Sequence, residues 1–153
     1  MSRGFVASGP SASGTANKTA VTVVGSASVR PRLFEYSVGV ATAPNATDQQ
    51  LNFAVQRFTA AGTSAGSAPT PLSIDPGDVA AVATVGWTHS AEPTYTAGGA
   101  LADQWMNQRA MFRWVAVPGF EFVSAATSGN GIGLFNKSVA AATVVQGQLM
   151  WME

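Results

Sequence analysis

A chain of 153 residues can bury one core of ordinary size, and 46% of it is hydrophobic, much of that Ala and Val, against only 10% charged. Eight Lys and Arg balance eight Asp and Glu, and the basic residues are scattered, with Arg30 and Arg32, then Arg109 and Arg113, the close pairs. That weighs against direct nucleic-acid binding, which draws its affinity from clustered cations. The lack of cysteine excludes disulfides, thiolate metal sites and thiol nucleophiles, and no run nears the roughly 20 apolar residues that span a bilayer.

Residues 1–16 are mostly Ser, Gly, Ala, Thr and Pro, with Phe5 and Val6 the main apolar exceptions. They read as an extended N-terminal arm ahead of a single domain at 17–153, because so little apolar surface cannot offset ordering entropy. Such an arm would be held either by a neighbouring subunit or along its own domain. It holds no apolar run like a signal peptide, so synthesis in a cytoplasm is expected. The glycosylation patterns at Asn17, Asn45 and Asn136 are then taken as chance.

Strand signals follow. Residues 19–24 are rich in Val and Thr, and 33–41 alternate, with Phe34, Tyr36, Val38 and Val40 on one face. Pro31 fits a strand start or an edge. Leu51, Phe53 and Val55 alternate until Arg57 interrupts them and Phe58 takes the opposite phase, which suggests a bulge or a strand end. Residues 60–78 form a long turn-rich stretch ending in Asp75-Pro76-Gly77-Asp78. Loops of that length are often functional. A strand is expected at 79–88, a loop at 90–99, and a helix or a strand at 101–108. Residues 111–117 read as a strong strand with apolar residues on both faces. Pro118-Gly119 should turn it into a hairpin partner at 120–124. A glycine-rich turn at 129–133 and a final strand at 143–152 complete the chain. Seven to nine short strands with Gly and Pro punctuation predict an all-β fold, an antiparallel β-sandwich, jelly-roll-like by strand count.

Three patterns bear on catalysis or metal binding. Gly62-Thr63-Ser64-Ala65-Gly66 matches a nucleophile elbow, but Pro69 and Pro71 deny it the helix that the chemistry needs. His89 is the only histidine, and a half-buried strand-end histidine explains it without catalysis. Asp75 and Asp78 offer two carboxylates where calcium wants more oxygens, and turn chemistry accounts for both. No catalytic, cofactor or metal site is expected. Trp87, Trp105, Trp114 and Trp151 are different, because tryptophan is enriched at interfaces and stacks on sugars. With Phe5, Arg109 and Arg113 they form the candidate interface set, the two arginines being placed to pair with a partner's carboxylates.

The runs SAEPTYTAGG (90–99), NQRAMFRWVAVPG (107–119) and GQLMWME (147–153) give the C-terminal half the texture of small virion structural proteins of tailed phages, which it resembles over roughly 75–153. The resemblance implies a capsid decoration or cement protein, a sandwich on the capsid surface that binds the major capsid protein and locks neighbouring capsomers. A homotrimer and a locking arm would follow from it, as would location in the virion after synthesis in the host cytoplasm, with no membrane partner. A carbohydrate- or receptor-binding module of a tail or fibre is the alternative, motivated by the four tryptophans. A hydrolase comes last and would need His89 beside a serine and a carboxylate.

Overall fold

The computed structural model describes residues 2–13, 18–65, 69–138 and 143–153, and among these it contains strands and no helix. In chain order the strands are β1 (Gly4–Pro10), β2 (Lys18–Val24), β3 (Arg32–Val40), β4 (Gln50–Ala60), β5 (Thr63–Ser64), β6 (Leu72–Ser73), β7 (Thr84–Trp87), β8 (His89–Ala91), β9 (Thr94–Tyr95), β10 (Ala102–Asn107), β11 (Phe112–Val115), β12 (Phe122–Val123), β13 (Gly131–Asn136) and β14 (Val145–Met152). A front sheet runs β11-β3-β14-β1-β6, with β12 also on β3. A back sheet runs β10-β4-β13-β2-β7, with β9 also on β4, and β5 and β8 form a small ribbon. All pairings are antiparallel. The fold is the expected all-β sandwich. Consecutive long strands fall in opposite sheets (β1 and β2, β3 and β4, β10 and β11, β13 and β14), an order compatible with a jelly roll.

The core lies between the sheets and follows the period of two. Phe5 and Ala7 of β1, Leu33, Tyr36 and Val38 of β3, and Val145, Leu149 and Trp151 of β14 face Val21, Val23, Leu51, Phe53, Val55, Ile132, Leu134 and Val85. The alternation of β3 departs from expectation at Phe34. Glu35 pairs with Met150 while Leu33 pairs with Trp151, so Phe34 is an extra residue and the inward set becomes Leu33, Tyr36 and Val38. Trp87 closes the open side of the sandwich beside β1, where any Cβ on Gly9 would run into its ring.

Several expectations change. The N-terminal stretch does not stand apart as an arm. Over Gly4–Pro10 it is β1, paired with β14 from Gly4↔Met152 to Pro10↔Gln146, with Phe5 fully buried. Of the two places left open for it, its own domain holds it; residues 1 and 14–16 lie outside the described residues. The strand expected from 79 begins only at Thr84, because the N–H groups of Val82 and Ala83 donate to the Glu153 carboxylate, each at 2.9 Å, instead of to a strand. Residues 101–108 hold a strand, β10. The turn at Pro118-Gly119 does not make a hairpin of β11 and β12. Both pair with β3, end to end, at Val38 to Glu35 and then at Leu33 to Arg32. The stretch at 60–78 contains β5 and β6, and that at 90–99 contains β9.

Candidate functional site: an uncovered sheet face

The two sheets treat their outer faces differently. On the back sheet, the chain leaves β7 through Thr88, whose positive φ of 42° is a left-handed bend rare for a β-branched residue, fixed by its N–H and hydroxyl, both donating to the Pro10 carbonyl at 3.0 Å. The ribbon of β5 and β8 and then β9 follow across the outside. Tyr95 stacks on Phe135 at 4.1 Å, meets Phe58 edge-on at 6.3 Å, and shares a 2.8 Å hydrogen bond with the Thr19 hydroxyl. Gly133 makes this possible, since a Cβ there would lie 2.5 Å from the Tyr95 hydroxyl. The opposite phase of Phe58 is thereby explained. It belongs to this outer cluster, with Ala54 and Phe135, while β4 continues to Ala60. Burial drives the Tyr95 phenol far above its usual pKa.

The front sheet has no such cover among the described residues. Cross-strand register aligns Leu72, Val6, Met150, Glu35 and Val115 in one outward row across five strands. Leu72 and Val115, at opposite ends of the row, are 66% and 50% exposed, and Ile74 is exposed two residues beyond Leu72, Met111 just before β11. The charge within the row is neutralised in place. Arg113 grips Glu35 through two hydrogen bonds, 2.6 and 2.9 Å, and its hydrogen bonding holds the Glu35 carboxyl below the usual range. In the next row Ser8, Gln148 and Ser37 are small or neutral, and its last member is Arg113, the partner of Glu35. A row of exposed and half-exposed apolar side chains whose one carboxylate is paired in place is a candidate contact surface.

The candidate interface set scatters. Phe5 and Trp151 are core residues, fully buried with ring centroids 6.0 Å apart, so neither can meet a partner in this fold. Trp114 is half-buried, between Phe122 (4.4 Å) and Tyr36 (5.4 Å), and Trp87 is half-buried on the far side. Trp105 is 68% exposed, alone on the outer face of β10. Arg109 and Arg113 are exposed and paired within the chain, Arg109 with Asp48 at 2.9 Å and Arg113 with Glu35 at 2.6 Å. Sequence reasoning missed Val6, Leu72, Ile74 and Met150. A signal was present for Met150 and Met152, which alternate with Leu149 and Trp151 and so had to share the face opposite to theirs.

The serine and the histidine do converge. Ser64 pairs with His89, and a Cβ on Gly86 would lie 2.7 Å from Ser64 Oγ, 2.8 Å from Thr22 Oγ1 and 2.9 Å from His89 Nε2. Yet Ser64 Oγ accepts the Trp87 N–H at 3.2 Å, and His89 is buried, with no protein partner for Nδ1. Burial lowers the pKa of His89, outweighing the opposing field of Glu92. Neither the concavity beside Tyr95 and Lys137 nor the one beside Met111 is lined by Ser64 or His89, so neither brings a substrate to them. Asp75 works within its turn, its carboxylate accepting the Gly77 N–H at 2.8 Å. Among the described residues no three His, Asp or Glu side chains gather as a metal site would require.

Comparison with protein-family models, with curated proteins and with solved structures finds no match.

Proposed function

We propose that this chain is a non-enzymatic structural protein of a virion, a capsid decoration or cement protein that binds the major capsid shell and stabilises neighbouring capsomers. The observation that carries the reading is the asymmetry of the sandwich. One outer face is sealed by the chain's own segment, while the other presents an uncovered apolar row with its charges internally paired. Lasting assembly surfaces are of this apolar kind. The virion setting comes from the resemblance of residues 75–153 to tailed-phage structural proteins, and a homotrimer is the oligomer that it implies. The carbohydrate-binding alternative wants aligned exposed aromatics, whereas Trp105 is the only strongly exposed one of the four tryptophans.

Antibodies against the chain, applied to particles purified from its source, test the proposal. Labelling over the head supports it, labelling at a tail or fibre favours the alternative, and particles free of label refute both. On head-labelled particles, Met150→Glu within the apolar row should abolish incorporation while leaving the purified protein folded.

A further inference from the structure

Between β11 and β12 the chain leaves the front sheet. Ala116 still donates to the Phe34 carbonyl at 2.8 Å, and then residues 117–120 turn, with the Phe120 N–H on the Val117 carbonyl at 2.9 Å. Pro118 precedes Gly119, whose φ is 91°, the pattern of a type II turn. The Glu121 carboxylate ties the turn down by accepting the Gly119 N–H at 3.1 Å and Arg32 Nη2 at 2.9 Å. Phe120 is nevertheless 75% exposed, and Val117 is exposed beside it. This is an apolar tip fixed in one conformation, so little ordering entropy would oppose its binding.

At the opposite end of β11 the same face has a concavity of about 560 Å³, lined by Gly39, Thr42, Pro44, Met111, Gln146 and Gln148 among others. Its floor is open at Gly39, where a Cβ would meet only Met111, at 3.8 Å. The cation on its rim, Arg109, is held by Asp48. Its volume falls within the roughly 300–1,000 Å³ typical of pockets that enclose small ligands, room enough for a Pro-Gly-Phe tip. The tip cannot reach its own concavity. Met111 and Val117 are six residues apart, roughly 20 Å at about 3.3 Å per residue in extended chain.

We propose that the 117–120 tip of one copy inserts into the concavity between Gly39 and Met111 of a second copy. The contact is head-to-tail, so it closes into a ring where the rotation between copies allows and grows into a filament where it does not. It rests on the reading of this chain as an assembly subunit and requires no capsid.

The test is the mass of the full chain by light scattering over a concentration series, away from any particle, so that its failure is separable from that of particle labelling. Wild type should form a species of several copies. Phe120→Ser, which blunts the tip, and Gly39→Trp, which fills the concavity, should each be folded by circular dichroism and monomeric. An equal mixture of the two should recover a two-copy species, because the intact tip of one meets the intact concavity of the other. A monomeric wild type, variants that assemble like wild type, or a mixture that stays monomeric would each overturn the proposal. Should either variant fail to fold, the absence of native cysteine allows a second approach. Chains carrying Phe120→Cys and chains carrying Thr42→Cys, mixed and treated with a short bis-maleimide, should cross-link to each other, and failure to do so overturns the contact.

Discussion

Replacing Gly133 with Ala puts a methyl group 2.5 Å from the Tyr95 hydroxyl, closer than real Cβ contacts come. Overpacking of this kind costs about 1–3 kcal/mol, offset in part by the roughly 0.4–1 kcal/mol that Ala gains over Gly by restricting the unfolded chain. Tyr95→Phe removes the hydroxyl alone and strips the buried Thr19 hydroxyl of its 2.8 Å partner, a loss of about 1–3 kcal/mol. The two substitutions are not independent. With Phe at 95 the nearest atoms to the new methyl become the ring carbon Cε1 at 3.1 Å and Thr22 Cγ2 at 3.2 Å, a tight but tolerable fit. Gly133→Ala combined with Tyr95→Phe should therefore cost about 1 kcal/mol less than the sum of the single variants, a coupling ordinary for residues in contact. Thermal unfolding followed by circular dichroism resolves this, since each kcal/mol moves Tm by about 2–4 °C in a domain of this size. Strict additivity, or Gly133→Ala as stable as wild type, would mean that Tyr95 does not sit over Gly133 and that the back sheet lacks its cover.

Deleting residues 2–10 should abolish folding rather than trim an appendage, as the far-ultraviolet spectrum reports, and Phe5→Ala should cost about 3–5 kcal/mol, read as a lowered Tm. Both tyrosines of the chain are raised by burial, Tyr36 to about 12 and Tyr95 further. The protonated phenols favour the folded state, so this stabilisation is complete below the unfolded pKa of about 10 and is lost as pH rises beyond it. Absorbance titration should show little phenolate at pH 10, where free tyrosine is about half ionised, while the protein stays folded. His89 has the opposite sense, since its lowered pKa makes the fold favour the neutral ring, and that contribution fades as pH falls below about 6.5. In an NMR titration the single imidazole should titrate with a midpoint below 6.5, and a midpoint at or above 6.5 would contradict its burial.

The two-residue period made β2, most of β3, β4 and β14 visible in the sequence, because each has a partner sheet to alternate against. The β1 strand was hidden because its inward residues after Phe5 are Ala7 and Gly9, small enough to resemble an arm; only the pairing with β14, far along the chain, reveals it. The false hairpin at Pro118-Gly119 arose from the same locality. The turn dipeptide is real, but β3 rather than β11 supplies the partner of β12. At the candidate site, alternation marks two faces without saying which meets the core. Trp151 and Phe5 therefore read as eligible for an interface that they cannot reach. The glycines at 131 and 133, alternating within a strand whose every residue is buried, were the trace of a second layer on the back sheet.

The pairing of β1 with β14 also fixes how the protein bears load. Arg3 and Glu153 exchange two backbone hydrogen bonds, 3.1 and 3.0 Å, at one end of that ladder. Tension applied through these two residues opens the ladder one rung at a time, like a zipper, whereas a pull in opposite directions along the strands must break its rungs together. The ladder is thus soft to a pull that separates Arg3 from Glu153 and stiff to one that slides β1 along β14.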